Sequence, residues 1–173
     1  MIIRILVGVP RNGKSVATNE LFSDTLVLSA DTIREIISPD KNKNYFKEEP
    51  FVWKCFSTML EIACKQRVSD ITIDNTNLRS EYRKQITNIA SNYGYRVEFL
   101  FISTPYETIK QRCIDTEFDF NIVKKMLKGF NKIESGIVYQ IDYNDLYIKP
   151  STTDKLNFYF EHLQNKALAD EEV

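Results

Sequence analysis

Eight consecutive residues near the start of the chain have the types and the spacing of a phosphate-binding loop. Residues 8–15 read Gly-Val-Pro-Arg-Asn-Gly-Lys-Ser and match the pattern G-x-x-x-x-G-K-[ST] at every fixed position. Gly8 and Gly13 permit the dihedral angles and the close approach with which a main chain curls around an anion. Lys14 is then expected to reach the β- and γ-phosphates of a nucleotide, and Ser15 to offer its hydroxyl to Mg²⁺.

The whole loop is therefore predicted to bind ATP together with Mg²⁺. The residues predicted to contact the nucleotide are Gly8, Pro10, Arg11, Asn12, Gly13, Lys14, Ser15 and Val16. Lys14 is also a candidate catalytic residue, because its charge can offset the charge that develops on a transferred phosphoryl group. The alternative is a chance match in a tight glycine turn, but an apolar run before the loop and a helical pattern after it favour the phosphate loop.

Two aspartates follow further apolar runs, at points where parallel strands would end. Asp31 follows the run Leu26–Ser29, and Asp74 closes the run Ile71–Asp74. Ligands of a parallel α/β sheet lie beyond the carboxyl ends of its strands, so both carboxylates are expected near the phosphate loop. Asp31 is the candidate general base for an attacking hydroxyl, and Asp74 the candidate ligand of Mg²⁺ through a water, together with Ser15. The alternatives are that Asp31 only caps a helix and that Asp74 only starts a turn.

Two arginines are candidates for contacts with phosphate. Arg34 lies one helical turn after Asp31 and is the candidate contact for a phosphate on the acceptor. Arg112 lies near the end of the predicted helix Pro105–Cys113 and is the candidate catalytic arginine of a lid that closes over the transferred phosphoryl group. For each of them the alternative is a solvated surface arginine.

These side chains need a sheet that brings several strand ends together. Short apolar runs predict strands at Ile2–Val7, Leu26–Ser29, Ile71–Asp74, Arg96–Ser103 and Leu146–Lys149. Helical periodicity predicts helices at 14–22, from 31 onward, and at 50–68, 79–93, 105–113, 121–130 and 152–168. Thr32 and Glu35 have the spacing of a capping box for the second helix. This alternation predicts an α/β fold with a mainly parallel central sheet of about five strands flanked by helices.

Length and composition are typical of one globular domain spanning residues 1–173, with 43% hydrophobic and 27% charged residues. The net charge of −1 gives no global support for nucleic-acid binding. Three cysteines without a Cys-x-x-Cys pair, and a single histidine, argue against a zinc site or a disulfide framework. No signal-peptide pattern and no run of about 18 apolar residues is present, so a cytoplasmic protein that does not span a membrane is expected. The polar segment Lys41–Lys47 is predicted to be a loop, and 169–173 a frayed tail.

Taken together, these motifs resemble the kinase domain of phage-type 5′-polynucleotide kinases over most of residues 2–130. The likeness rests on the phosphate loop, on Asp31-x-x-Arg34, on Asp74-x-Thr76-Asn77-Leu78, and on Asn92–Glu98 before the fourth strand. It implies a P-loop kinase fold with a helical lid at about 105–130, and ATP- and Mg²⁺-dependent transfer of the γ-phosphate to a hydroxyl of DNA or RNA. It also implies that Asp31 is the general base, while Arg34, Asp74 and Asn77 belong to the substrate site.

The acceptor stays open at this point. A related group of phage kinases phosphorylates hydroxymethylated pyrimidine bases within DNA, and the chain is equally similar to these enzymes. If the chain is phage-encoded, its compartment is the host cytoplasm, and a homo-oligomer is compatible with the sequence. Two alternatives of other classes are a kinase for a nucleoside, nucleotide or metabolite, and a non-catalytic ATP-binding switch module.

Overall fold

The computed structural model describes residues 1–37 and 49–170. Within these ranges the strands are β1 Ile2–Val7, β2 Leu26–Leu28, β3 Asp70–Ile73, β4 Arg96–Ile102, β5 Ile137–Ile141 and β6 Ile148–Ser151. The helices of the same ranges are α1 Lys14–Leu21, α2 Ala30–Ile37, α3 Glu49–Lys65, α4 Ser80–Asn92, α5 Tyr106–Asp115, α6 Phe120–Lys128 and α7 Thr153–Ala169. None of these helices is long and apolar enough to cross a membrane.

The strands form one sheet in the order β2-β3-β1-β4-β5-β6. All neighbours are parallel except β5 and β6, which are antiparallel. The parallel register pairs Ile5 with Ile73 on one side of β1 and with Phe99 on the other. The carboxyl ends of β1, β2 and β3 consequently meet at one edge of the sheet, which confirms the predicted α/β fold with a mainly parallel sheet.

The core lies on both faces of the central strand. Alternate residues of β1 face opposite sides, so Ile5 packs into the larger apolar cluster and Leu6 into the smaller one. The larger cluster includes Phe56 of α3 and Phe160 of α7, and the smaller one includes Ala17 of α1. Burial of a phenylalanine such as Phe56 contributes roughly 1.5–3 kcal/mol of stability. This double-sided core holds the strand ends, and hence the loops after them, in fixed relative positions.

The far edge of the sheet differs from the prediction. Strand β5 was not predicted, and the strand predicted at Leu146–Lys149 instead begins at Ile148 and runs antiparallel. Leu146 has a positive φ of 57° and belongs to the turn between the two strands. The turn is closed by a hydrogen bond from the Asp142 amide to the Tyr147 carbonyl, at 2.9 Å. The sheet therefore has six strands in the described part of the chain rather than five.

The start of α2 also differs from the prediction. The helix begins at Ala30, so Thr32 lies within its first turn and cannot be its N-cap. Instead, the Ala30 amide donates to Asn75 Oδ1 at 2.7 Å. The capping box of Thr32 and Glu35 was wrong because a side chain from the neighbouring strand end satisfies the first amide.

Helix α5, in the predicted lid, contacts the start of the predicted C-terminal tail. Asp170 follows the last residue of α7 and accepts hydrogen bonds from Lys110, at 2.8 Å, and from Tyr106, at 3.1 Å. The start of the predicted tail is thus attached to α5. The predicted loop Lys41–Lys47 and the last three residues of the predicted tail lie outside the described ranges.

Candidate active site

The predicted phosphate loop connects β1 to α1 and is tightly curled. The Gly8 amide donates to the Thr76 carbonyl at 2.9 Å, which fixes the start of the loop on the neighbouring strand end. Gly13, directly before α1, has a φ of 101°, a conformation that favours glycine. A Cβ atom at Gly8 would lie 1.9 Å from Asn12 Nδ2, so a side chain at position 8 would displace the side chain of Asn12.

Asn12 fills the centre of this loop. It is fully buried, and its Oδ1 accepts hydrogen bonds from the amide and from the ammonium group of Lys14, both at 3.3 Å. Thr104, from the segment after β4, donates its hydroxyl to the Asn12 carbonyl at 2.7 Å. Asn12 Nδ2 is buried without a hydrogen-bond partner among the described residues. The buried donor is Asn12 Nδ2, the buried cation is Lys14, and both lie at the N-terminus of α1. This arrangement fits an anionic ligand, as the motif predicts.

Lys14 lies inside the loop. Its Nζ donates to the Val9 carbonyl at 2.7 Å. Burial lowers the pKa of Lys14 to about 8, and the negative charges of Asp74 and Asp31 partly oppose this shift. The lysine therefore lies in the electrostatic field of both aspartates, which come from two other strand ends.

Asp31 and Arg34 lie on one face of α2, as their spacing predicts. Arg34 Nη1 donates to Asp31 Oδ1 at 2.5 Å, and Arg34 Nε donates to Glu49 Oε2 of α3 at 2.9 Å. Arg34 is nearly buried, whereas the Asp31 side chain is 70% exposed. Burial alone would lower the pKa of Arg34, but the hydrogen bonds and charges of Glu49 and Asp31 raise it overall. Arg34 thus holds one oxygen of the Asp31 carboxylate, while most of the Asp31 side chain is accessible to an incoming group.

The loop after β3 carries Asp74 and Asn77. Asp74 is partly exposed and its amide donates to the Leu28 carbonyl at 3.0 Å, which ties it to the end of β2. Asn77 is 1% exposed and donates from Nδ2 to the Leu6 carbonyl at 2.7 Å. The predicted contact of the Asn77 side chain with a substrate does not fit this position, because the side chain points into the protein and holds the loop against β1.

The lid segment approaches the phosphate loop through Arg112. Arg112 Nη1 donates to the Arg11 carbonyl at 3.3 Å, and it lies 3.4 Å from where a Cβ atom of Gly13 would be. The guanidinium group of Arg11 itself lies over the ring of Phe118, 4.9 Å from its centroid. The fold thus brings Arg112 to the loop, while Arg11 packs sideways between α5 and α6.

The remaining members of the loop lie at its outer edge. Ser15 and Val16, in the first turn of α1, are exposed, and Pro10 is partly exposed. Ser15 and Asp74 supply a hydroxyl and a carboxylate, which are oxygen donors that suit Mg²⁺ alongside waters and phosphate oxygens. No group of three or more His, Cys, Asp or Glu side chains in residues 1–37 and 49–170 is arranged to hold a metal ion alone. The donor set fits an ion that shares its ligands with a nucleotide.

Comparison with known proteins places this geometry in a family. The sequence profile of the AAA domain family AAA_33 matches residues 3–127, from β1 through α6. The chain belongs to this AAA domain family. The matched stretch includes the phosphate loop, Asp31, Asp74 and Arg112.

Individual known proteins are similar to most of the chain. An L-seryl-tRNA(Sec) kinase from Methanococcus maripaludis is 26% identical over 163 residues, which cover 89% of this chain and 60% of that protein. This chain therefore spans 60% of the length of that relative. A solved chain of the PezAT toxin–antitoxin system of Streptococcus pneumoniae superposes with a TM-score of 0.63 at 14% identity, over 98% of this chain and 85% of that one. A sugar kinase from Janibacter sp. HTCC2649 superposes with a TM-score of 0.59 at 19% identity, over 98% and 93% of the two chains.

At these identities the solved structures show the fold alone. The family match gives an AAA domain, and the superpositions show that the chain shares its fold with solved structures that include a sugar kinase. The finer resemblance to phage-type polynucleotide kinases stays a prediction.

Arg83 is a residue of this AAA domain that sequence reasoning missed. It is buried in α4 and donates to the carbonyls of Asn77, at 2.8 Å, of Leu78, at 2.6 Å, and of Asn131, at 2.6 Å. Burial lowers its pKa to about 10. The available signal was its spacing, because Arg83 lies three positions before the buried Ile86 on the apolar face of the helix. Arg83 holds the Asp74–Leu78 loop in place.

Proposed function

We propose that this AAA domain is an ATP-dependent kinase that transfers the γ-phosphate to a hydroxyl carried by a nucleic acid. The observation that carries the proposal is the convergence of one buried cation and two carboxylates at the strand ends. Lys14 of the phosphate loop is influenced by the charges of both Asp74 and Asp31. A nucleotide-binding loop alone would serve a switch, but an exposed carboxylate beside it supplies a proton acceptor for a second substrate.

Each residue then has a step in the transfer. ATP with Mg²⁺ supplies the phosphoryl group, and Ser15 and Asp74, the latter through a water, would hold the ion. Lys14 exchanges its bond to the Val9 carbonyl for phosphate oxygens and offsets their charge. Asp31 accepts the proton of the hydroxyl as that oxygen bonds to the γ-phosphorus and the bond to the ADP oxygen breaks.

Arg112 acts from the lid. It lies against the Arg11 carbonyl, at 3.3 Å, where its positive charge is close to the loop that binds the phosphates. A cation there stabilises the negative charge on the transferred phosphoryl group in the transition state. Most of the rate acceleration in such a transfer comes from positioning and electrostatics, which the rigid strand ends supply.

Two observations support a hydroxyl attached to a nucleic acid. The motif pair Asp31-x-x-Arg34 and Asp74-x-Thr76-Asn77-Leu78 resembles that of polynucleotide kinases. The Methanococcus maripaludis relative is named for its action on L-seryl-tRNA(Sec). The acceptors to compare are therefore a 5′-hydroxyl end, a hydroxymethylated base in DNA, and a hydroxyl on a group attached to tRNA.

The test is transfer of labelled phosphate from ATP to a panel of acceptors. The panel holds 5′-hydroxyl oligonucleotides, duplexes with hydroxymethylated bases, serine-charged tRNA, free nucleosides and sugars. We expect label on a nucleic acid, and loss of transfer in Asp31→Asn with ATP affinity retained. Asp24→Asn, at an exposed turn aspartate, is the matched control and keeps wild-type rates. Label on a small molecule alone would replace the proposal with a metabolite kinase, and ATP binding without any transfer would leave a switch module.

A further inference from the structure

The guanidinium group of Arg34 already has a carboxylate partner on each of its three nitrogens. Nε donates to Glu49 Oε2 at 2.9 Å, and Nη2 donates to the other oxygen of the same carboxylate. Nη1 donates to Asp31 Oδ1 at 2.5 Å. A side-on, bidentate pair such as that of Arg34 and Glu49 is the geometry with which arginine otherwise grips a phosphate.

Arg34 is buried, Glu49 is partly exposed, and the carboxylates of Glu49 and Asp31 both bind the guanidinium group. The side chain of Arg34 is 10% exposed and that of Glu49 is 30% exposed. One guanidinium and two carboxylates sum to a charge of −1 at this place. A phosphate that bound the same edge of Arg34 would have to displace Glu49 and would lie beside the Asp31 carboxylate.

Glu49 is itself held from the helix side. Trp53, one turn further along α3, donates from Nε1 to Glu49 Oε1 at 2.7 Å. The Trp53 ring stacks on Tyr82 of α4, with ring centroids 4.2 Å apart. The position of Glu49, and through it that of Arg34, is therefore fixed by the packing of α3 against α4.

Resting on the proposed function, we propose that Glu49 is a positioning residue for the acceptor site and selects acceptors that carry no phosphate beside their hydroxyl. Glu49 fixes the guanidinium group of Arg34 through two hydrogen bonds. Arg34 in turn orients the Asp31 carboxylate for the incoming hydroxyl. This differs from the role expected from the sequence, in which Arg34 binds a phosphate of the acceptor. The acceptor class is a neutral group with a primary hydroxyl, such as a hydroxymethylated base or a serine side chain, rather than a 5′-terminal nucleotide with its adjoining 3′-phosphate.

The first test measures whether Glu49 keeps phosphate away from Arg34. The nucleotide site is filled with a non-hydrolysable ATP analogue and Mg²⁺, and thymidine 3′-monophosphate is titrated into wild type and Glu49→Gln. Binding is followed by calorimetry and by the fluorescence of Trp53, the single tryptophan of the chain. We expect the variant to bind the monophosphate at least about tenfold more tightly than wild type, because the negative charge that competes for the bidentate edge of Arg34 is then removed. Equal affinities, or tight binding by wild type, would overturn the proposal.

The second test separates positioning from a merely structural role. With a neutral-hydroxyl acceptor, Glu49→Gln should lower kcat by about tenfold while KM for ATP stays the same, and Glu49→Asp should recover part of the loss. Glu81→Gln, at an exposed glutamate paired with Arg79 at 3.6 Å, is the matched control and should change neither constant. An unchanged kcat in Glu49→Gln would refute the positioning role.

The two tests also distinguish failure of this inference from failure of the proposed function. If wild type transfers phosphate to no acceptor, the proposed function fails, but the binding comparison still decides whether Glu49 blocks Arg34. If transfer occurs and wild type prefers 5′-hydroxyl oligonucleotides over neutral acceptors, the inference fails and the kinase function stands.

Discussion

ATP binding should be accompanied by proton uptake at Lys14 in weakly alkaline solution. Lys14 Nζ donates to the Val9 carbonyl at 2.7 Å, and burial lowers its pKa to about 8. Phosphate oxygens that replace this carbonyl bring several negative charges into direct contact with the ammonium group. Such charges favour the protonated lysine and raise its pKa well above the working range.

The size of the effect follows from the pKa of about 8 in the free protein. The neutral fraction of Lys14, which is the number of protons taken up, is about 0.1 at pH 7, about 0.5 at pH 8 and about 0.9 at pH 9. ATP contributes little to these numbers at pH 8 and above, because the last phosphate ionisation lies near pH 6. The same linkage should weaken ATP affinity about tenfold between pH 7 and pH 9.

Titration calorimetry in buffers of different ionisation enthalpy measures the uptake directly. At each pH the binding enthalpy is plotted against the buffer enthalpy, and the slope is the number of protons bound. Lys84→Met, at an exposed lysine of α4, is the control and should keep the wild-type slope, whereas Lys14→Met should abolish the part that depends on pH. A slope near zero at pH 9 in wild type would refute the view that the buried lysine loses its proton before ATP binds.

Two further substitutions test the frame that holds the site. Gly8→Ala should weaken ATP binding by more than about tenfold in calorimetry, because its Cβ would lie 1.9 Å from Asn12 Nδ2 and open the loop. Wild-type affinity in this variant would contradict the close packing of Gly8 and Asn12. Arg83→Met should lower the free energy of unfolding in urea by about 2–4 kcal/mol, because it removes the guanidinium donors from the carbonyls of Asn77 and Leu78. Lys84→Met is its exposed neighbour and should cost less than about 0.5 kcal/mol; similar losses in both variants would contradict the role of Arg83.

The parts of the fold that the sequence predicted are those with a local signal. Strand β1 is apolar at every position except Arg4, because a central parallel strand is buried on both faces. The glycines at positions 8 and 13 mark the loop after it, and Asp31 and Asp74 stand where the next two strands end. Strand β5 reads Ile-Val-Tyr-Gln-Ile, so it carried a strand signal of β-branched and aromatic residues that the prediction missed.

The parts of the site that the sequence did not predict depend on contacts between distant segments. Glu49 meets Arg34 across 15 positions, and nothing in the local pattern of α3 marks it as a partner. Arg83 and Asn77 donate to main-chain carbonyls. Because every residue has a carbonyl, the residue types in the sequence do not show which carbonyl is the acceptor. The lowered pKa of Lys14 likewise arises from burial, which depends on how the loop packs.

The last helix is part of the support of the phosphate loop, although it lies beyond the family match. Tyr159 of α7 is partly buried, desolvation of its hydroxyl raises its pKa, and that hydroxyl donates to the Thr104 carbonyl at 2.8 Å. Thr104 in turn donates from its own hydroxyl to the Asn12 carbonyl at 2.7 Å, at the centre of the loop. A chain of two hydrogen bonds therefore runs from α7 to the residue that closes around Gly8. Because a phosphate loop works only when its amides are held in a fixed curl, we expect α7 to support the loop through these two hydrogen bonds.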